Sequence, residues 1–146
     1  MSPWNTYQGM RMADPIPTFS HYVTEIRKRN PDLAYLHAVE GAMEGDSNDF
    51  AREIWGVGKA EGAVFLSSGG HNRETALKNT EKGDVVVFGR WFISNPDLPR
   101  RLKENIPLTP FDYSTFYTKK SPKGYIDYPF APLSAGISTL PKNDEL

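Results

Sequence analysis

Apolar residues Phe19, Tyr22, Val23 and Ile26 recur at helical spacing between Thr18 and Arg29, and Pro31 closes the segment. The pattern predicts an amphipathic helix there. The period then changes. Leu33 to Val39 is a short apolar run that fits a strand buried on both faces, as parallel strands usually are. After a polar loop, Ser47, Asn48 and Asp49 offer N-caps for a helix with Phe50, Ile54 and Trp55 on its apolar side, broken by Gly56 and Gly58.

The alternation continues. Ala63 to Ser67 reads as a second buried strand that runs into Gly69-Gly70, followed by a short helix begun near Asn72 and carrying Ala76 and Leu77. Asp84 to Phe88 is the clearest strand, ending at Gly89-Arg90. Asn95-Pro96-Asp97 then supplies a cap, a proline at the first helical position and an acid in the first turn, with Leu98 and Leu102 facing inward. From Pro107 the chain is rich in Pro, Tyr and Phe without a clean period, and it reads as an ordered loop wrapped on the surface. Three strands alternating with helices predict an α/β fold with a parallel sheet.

Composition narrows the class. The 146 residues are 38% hydrophobic and 24% charged, the profile of a globular chain. That length is enough for one domain but short of the roughly 250 residues of a complete (β/α)8 barrel. No apolar run reaches the roughly 20 residues that span a bilayer. The formal charge of −1 comes from scattered acids and bases, so no basic stripe points to nucleic acid. Cysteine is absent, which excludes disulfides, thiolate metal sites and cysteine nucleophiles. Met1-Ser2-Pro3-Trp4-Asn5 has no features of a secretory signal, so the expected location is cytoplasmic, and Asn143-Asp144-Glu145-Leu146 is read as a frayed acidic end rather than a retention signal.

In βαβ proteins, ligands lie beyond the C-terminal strand ends. Ser68-Gly69-Gly70 and Gly89-Arg90 occupy two consecutive such ends, where bare backbone N–H groups and a guanidinium suit a phosphate. Two tight turns and a surface arginine explain the same residues equally well.

The order of landmarks carries more. Ser2-Pro3 followed by Gly9-Met10, Gly45-Asp46-Ser47-Asn48-Asp49-Phe50, and Ser68-Gly69-Gly70 before Asn72 come first. Phe88-Gly89-Arg90-Trp91-Phe92-Ile93-Ser94-Asn95-Pro96-Asp97-Leu98, Ser114-Thr115-Phe116-Tyr117 and Gly124-Tyr125-Ile126-Asp127-Tyr128-Pro129 follow. Together they resemble the fungal type of the old yellow enzyme family, FMN-dependent NADPH ene-reductases, as far as about Pro132.

The resemblance implies the C-terminal portion of a (β/α)8 TIM barrel over residues 1–132, about three to four βα units, with an irregular tail over 133–146. It implies FMN held by its phosphate at Gly69, Gly70, Gly89 and Arg90. NADPH would reduce the flavin, and an activated alkene would accept hydride. Phe116 and Tyr117 match aromatics that line the flavin and substrate pocket. Some of the family's pattern is not found: the arginine ahead of Leu-Ser-Pro, the threonine and glutamine at the flavin ring, the histidine-containing substrate pair and the tyrosine proton donor. The catalytic residues are therefore left unassigned. Tyr113 stands where an arginine is usual, and the loop from Glu40 to Asp46 is shorter than the family's.

Other candidates read as structural. His37 lies mid-strand and reads as a satisfied barrel histidine, while His21 lies on a helix and reads as partly exposed. His71 follows the glycine pair, within reach of a ligand. Glu40 and Glu44, with Asp46 nearby, read as an acidic solvated loop rather than an acid–base pair. The three histidines lack ligand-like spacing with a carboxylate, so no metal is expected. A three-stranded parallel sheet cannot close on itself, so a second copy, a complementary N-terminal half or the tail is expected to cover it. The leading expectation is an FMN-dependent oxidoreductase acting on a small molecule with such a complement. A flavin-independent isomerase or cyclase of fungal secondary metabolism, or a non-catalytic remnant, is the alternative.

Overall fold

The computed structural model describes residues 1–60 and 62–132, so the calls on the 133–146 tail lie outside the described residues. The chain divides into two compact units, Met1–Gly89 and Arg90–Leu146. Among the described residues, no helix is long and apolar enough to cross a membrane.

The first unit holds a three-stranded parallel sheet in the order β1 (Tyr35–Val39), β2 (Val64–Ser68), β3 (Asp84–Val87). In register, Leu36 pairs with Phe65 and Phe65 with Asp84. The strands alternate with helices α1 (Ile16–Arg29), α2 (Asp49–Trp55) and α3 (Arg73–Glu81). Helix α1 starts two residues before Thr18, because Pro17 fits a first turn and Asp14 Oδ1 accepts the Ile16 N–H. Arg27, Lys28 and Arg29 crowd its last turn, where the helix dipole favours cations.

Val23, Leu36, Ala38, Ala51, Trp55 and Phe65 form the core between one sheet face and helices α1 and α2. The expectation that the strands are buried on both faces is corrected. Leu36, Ala38, Phe65 and Ser67 are buried, whereas Tyr35, Val64 and Val85 on the opposite face are exposed, and Leu33 lies outside the strand. The period of two separates a helix-covered face from an open one.

Of the two expected starts, one cap differs and one holds. Asn48 precedes α2 but makes no side-chain cap. Its amide instead donates to Val39 O and Glu40 Oε2, and its Oδ1 accepts from the Trp4 indole at 3.1 Å. Asn72 does cap α3, exchanging hydrogen bonds with Thr75 in a reciprocal box.

Arg52 of α2 is buried and bonds Asp84, Glu40 and Asp49, so one guanidinium ties the helix to the start of β3 and to the end of β1. Its carbon also lies 4.8 Å from the centre of the Phe65 ring. Burial alone would lower its pKa, but the hydrogen bonds that Arg52 donates to Asp84 and the charge of Glu40 outweigh burial and raise it.

The second unit opens with α4 (Arg90–Ser94) and α5 (Leu98–Glu104). The start expected at Asn95 is corrected, because Asp97 is the N-cap residue of α5 and Pro99 lies in its first turn. Asn95 is buried and serves elsewhere, accepting from Thr109 N at 2.7 Å and donating to Trp91 O. Arg101 pairs with Asp97 at 2.7 Å and donates to Pro107 O, Thr109 Oγ1 and Pro129 O, while Asp97 accepts from Ala131 N. Burial would raise the Asp97 pKa, but the Arg101 hydrogen bond prevails and lowers it. Leu98 is fully buried. A segment with one short 3-10 turn, Tyr113–Thr115, is thus fastened to a helix by side-chain bonds in place of a sheet ladder.

Candidate functional site

Strand β2 delivers its chain into Gly69 and Gly70, with φ of +102° and +67°. A side chain at Gly69 would stand 3.0 Å from Val39 Cγ1 and 3.4 Å from Glu40 N, so glycine lets the ends of β1 and β2 converge. Nothing lies within 4 Å of a Cβ built at Gly70 or Gly89. Bare backbone is therefore open to an approaching group at both, and a methyl would occupy that approach. Bare peptide N–H groups at a strand end are donors that suit a phosphate such as that of FMN.

Around this strand end, His37 Nε2 lies 2.9 Å from Ser68 Oγ, which also reaches Ala38 O, so His37 is a partnered histidine. His71 is 5% exposed, its ring edge-on to Phe88 at 6.1 Å. Its Nε2 and the Ser67 Oγ are buried with no hydrogen-bond partner among the described residues. Burial pushes the His71 pKa below its ordinary 6.5, outweighing the attraction of Glu40.

The sign follows directly. The unfolded chain takes up this proton more readily, so stability is fully present above about pH 6.5 and drains as pH falls toward the depressed folded value, by at most about 1.4 kcal/mol per pH unit. In urea titrations between pH 7 and 5, His71→Asn will flatten this dependence. An identical slope in both proteins would show that His71 does not titrate on unfolding.

The expected solvated acidic loop is corrected. Arg11 donates to both Asp46 oxygens, at 3.0 and 2.7 Å, and Glu40 is held by Arg52 and Asn48, leaving Glu44 exposed. The Arg11 hydrogen bond holds Asp46 below the ordinary carboxylate range despite opposing desolvation. The glycine at 41 is part of this arrangement, since a Cβ there would overlap Asp46 Cβ. Asp46 and Glu40 are structural anchors, each engaged by an arginine from another segment.

In the second unit, Arg90 begins α4. Its guanidinium carbon lies 5.4 Å from the Phe111 ring centre and 5.3 Å from that of Tyr113. Among the described residues no carboxylate pairs with it, in contrast to Arg11, Arg52 and Arg101. Arg90, Ile93, Tyr113, Phe116, Tyr117 and Tyr125 line a cavity of about 460 Å³. Phe116 stacks on Phe111 at 5.8 Å and 28°. Tyr117 adopts φ +59°, is 92% exposed, and donates its backbone N–H to Tyr125 Oη at 3.1 Å.

Three of the sequence-derived candidates, Arg90, Phe116 and Tyr117, therefore share one cavity. Gly69, Gly70 and Gly89 belong to the first unit. The sequence reading did not assign Phe111 and Tyr125 to a site. The density of aromatics between Phe111 and Tyr125 was the available signal for them.

Comparison with known proteins bears on the family and the fold. Residues 1–109 match the NADH:flavin oxidoreductase / NADH oxidase family. The chain is 42% identical over 140 residues to chanoclavine-I aldehyde reductase of Penicillium roqueforti, covering 89% of this chain and 37% of that protein. It is 39% identical over 153 residues to the NADP-dependent oxidoreductase lnbE of Aspergillus flavus, covering 90% and 38%. Among solved structures, the old yellow enzyme of Trypanosoma cruzi superposes with a TM-score of 0.73 at 33% identity, covering 90% of this chain and 34% of that one. The chain thus spans a little over a third of the length of these relatives. With a parallel α/β fold similar to theirs and a family match over most of its residues, the chain belongs to the NADH:flavin oxidoreductase family of old yellow enzymes.

Proposed function

We propose that these residues form the C-terminal portion of a (β/α)8 flavin oxidoreductase and supply its FMN phosphate grip, for NADPH-dependent reduction of activated alkenes. Gly69, Gly70 and Gly89 would offer backbone N–H groups, and Arg90 would offer a bidentate guanidinium. Phe116 and Tyr117 would face the flavin and substrate. When bound, FMN supplies two-electron chemistry, carrying hydride from NADPH to the alkene. The observation that carries the reading is the cavity lined jointly by Arg90, Phe116 and Tyr117, with Arg90 unpaired by any carboxylate among the described residues.

Family membership supports the cofactor, and the share of the relatives' length supports a complement. That complement, a further polypeptide segment or a second copy, would position the flavin ring and the alkene. Hydride transfer needs its partners within roughly 3 to 3.5 Å, and positioning accounts for many kcal/mol of barrier lowering. The 146 residues by themselves are expected to bind FMN weakly and not to turn over.

The test is FMN fluorescence quenching by the purified chain, alongside NADPH oxidation with cyclohexenone. Arg90→Ala will weaken FMN at least about tenfold, the worth of a charge-assisted hydrogen bond. No FMN binding, or an unchanged affinity in Arg90→Ala, would sink the phosphate assignment and favour a flavin-independent role. Robust enone reduction by the chain alone would refute the need for a further segment and show self-association rebuilding the site.

A further inference from the structure

We infer that Tyr113, together with Phe111, is a positioning residue that fixes the Arg90 guanidinium in an aromatic corner and leaves its N–H groups, unpaired by any carboxylate among the described residues, for the phosphate of a flavin mononucleotide. This rests on the reading of Arg90 as the phosphate-binding arginine.

The geometry is specific. The Arg90 guanidinium carbon and the two ring centres form a nearly equilateral triangle, with separations of 5.4, 5.3 and 5.0 Å, and the rings stand at 83° to each other. Both rings therefore lie to one side of the cation, as two walls of a corner. The corner is itself braced, since Trp91 meets Phe111 edge-on at 5.0 Å, and Phe116 packs against Phe111 at 5.8 Å and against Tyr113 at 5.3 Å.

An arginine fixed by a carboxylate spends its N–H groups on that carboxylate, as Arg52 and Arg101 do here. A cation held against ring faces is fixed by the aromatic quadrupole and keeps its donors. It also keeps its full charge for an anion, whereas a paired arginine presents a neutralised one. The aromatic corner thus reduces the freedom a long side chain must lose on binding, without competing for the ligand. The lining of the cavity by Arg90 and Tyr113 together places the fixed guanidinium at an open wall.

The experiment compares FMN with riboflavin, which carries the same ring and no phosphate, in fluorescence titrations of the full chain. Tyr113 is 60% exposed, so truncating it opens no core. Tyr113→Leu is expected to weaken FMN roughly 2- to 30-fold, the range of a cation–π contact, with riboflavin unchanged. Tyr113→Phe keeps the ring and is expected to bind as the wild type does. In an Arg90→Ala background, Tyr113→Leu is expected to add nothing.

Equal losses for FMN and riboflavin would mean that Tyr113 only walls the cavity, and would overturn the inference. So would a full Tyr113→Leu effect persisting in Arg90→Ala, or wild-type FMN affinity in Tyr113→Leu while Arg90→Ala is impaired. An Arg90→Ala protein that binds FMN normally would remove the parent reading and this one with it.

Discussion

Replacing Arg52 with leucine will cost the first unit about 3 to 5 kcal/mol, the loss seen when one partner of a buried ion pair is removed. The Asp84 side chain is 0% exposed, and its oxygens accept from Arg52 at 2.6 and 2.9 Å, so the leucine variant leaves a buried carboxylate with no counter-charge. Glu40, at 16% side-chain exposure, can turn toward water, whereas Asp84 cannot. The measurement is urea unfolding followed by tryptophan emission, since Trp55 lies in the same core. A double variant, Arg52→Met with Asp84→Leu, is expected to recover much of the loss, because apolar replacement of a whole buried pair is often neutral or favourable. A single Arg52→Leu change within about 1 kcal/mol of wild type would show that the network contributes little.

Gly124→Ala is expected to disrupt the aromatic cavity of the second unit. A Cβ at this position would overlap Thr115 Oγ1 and lie 2.5 Å from Thr115 Cβ, and the backbone φ of +78° disfavours any side chain. Overpacking costs about 1 to 3 kcal/mol, and forcing alanine to a positive φ adds about 1 kcal/mol. Thr115 is buried, its hydroxyl donating to Asp112 O at 2.8 Å, so it has no easy retreat. Near-ultraviolet circular dichroism will report lost aromatic packing in Gly124→Ala. Thr115→Ala will not rescue it, since the clash includes Thr115 Cβ, which alanine keeps. A native aromatic spectrum in Gly124→Ala would refute the contact.

Much of the fold was legible because its signals are local. The apolar runs around Leu36, Phe65 and Val86 set the three strands, and Asn72 with Thr75 carries a cap in four residues. What escaped were pairings across long separations. Nothing near Asp46 announces Arg11, 35 positions away, and nothing near Glu40 announces Arg52, 12 positions on, so anchored carboxylates read as a solvated loop. Asn95 was misread as a cap for a related reason. The same residue type that starts helices also satisfies loop backbone, and only Thr109, 14 residues later, shows which it does. At the candidate site, strand ends and glycines were readable from pattern, and the family resemblance added Phe116 and Tyr117. The corner of Phe111 and Tyr113 around Arg90 depends on how an irregular segment folds back, which no period encodes.

The open sheet face with Tyr35, Val64 and Val85 has a thermodynamic consequence. A second copy or a further segment that covered that face would bind the folded chain and not the unfolded one, and so would add stability as RT ln(1 + [L]/Kd), about 2.7 kcal/mol at 100 times its Kd. With such a partner, the melting temperature of this polypeptide would be a function of composition and dilution, a property of the solution as much as of the molecule. Two preparations of identical sequence at different concentrations need not share one.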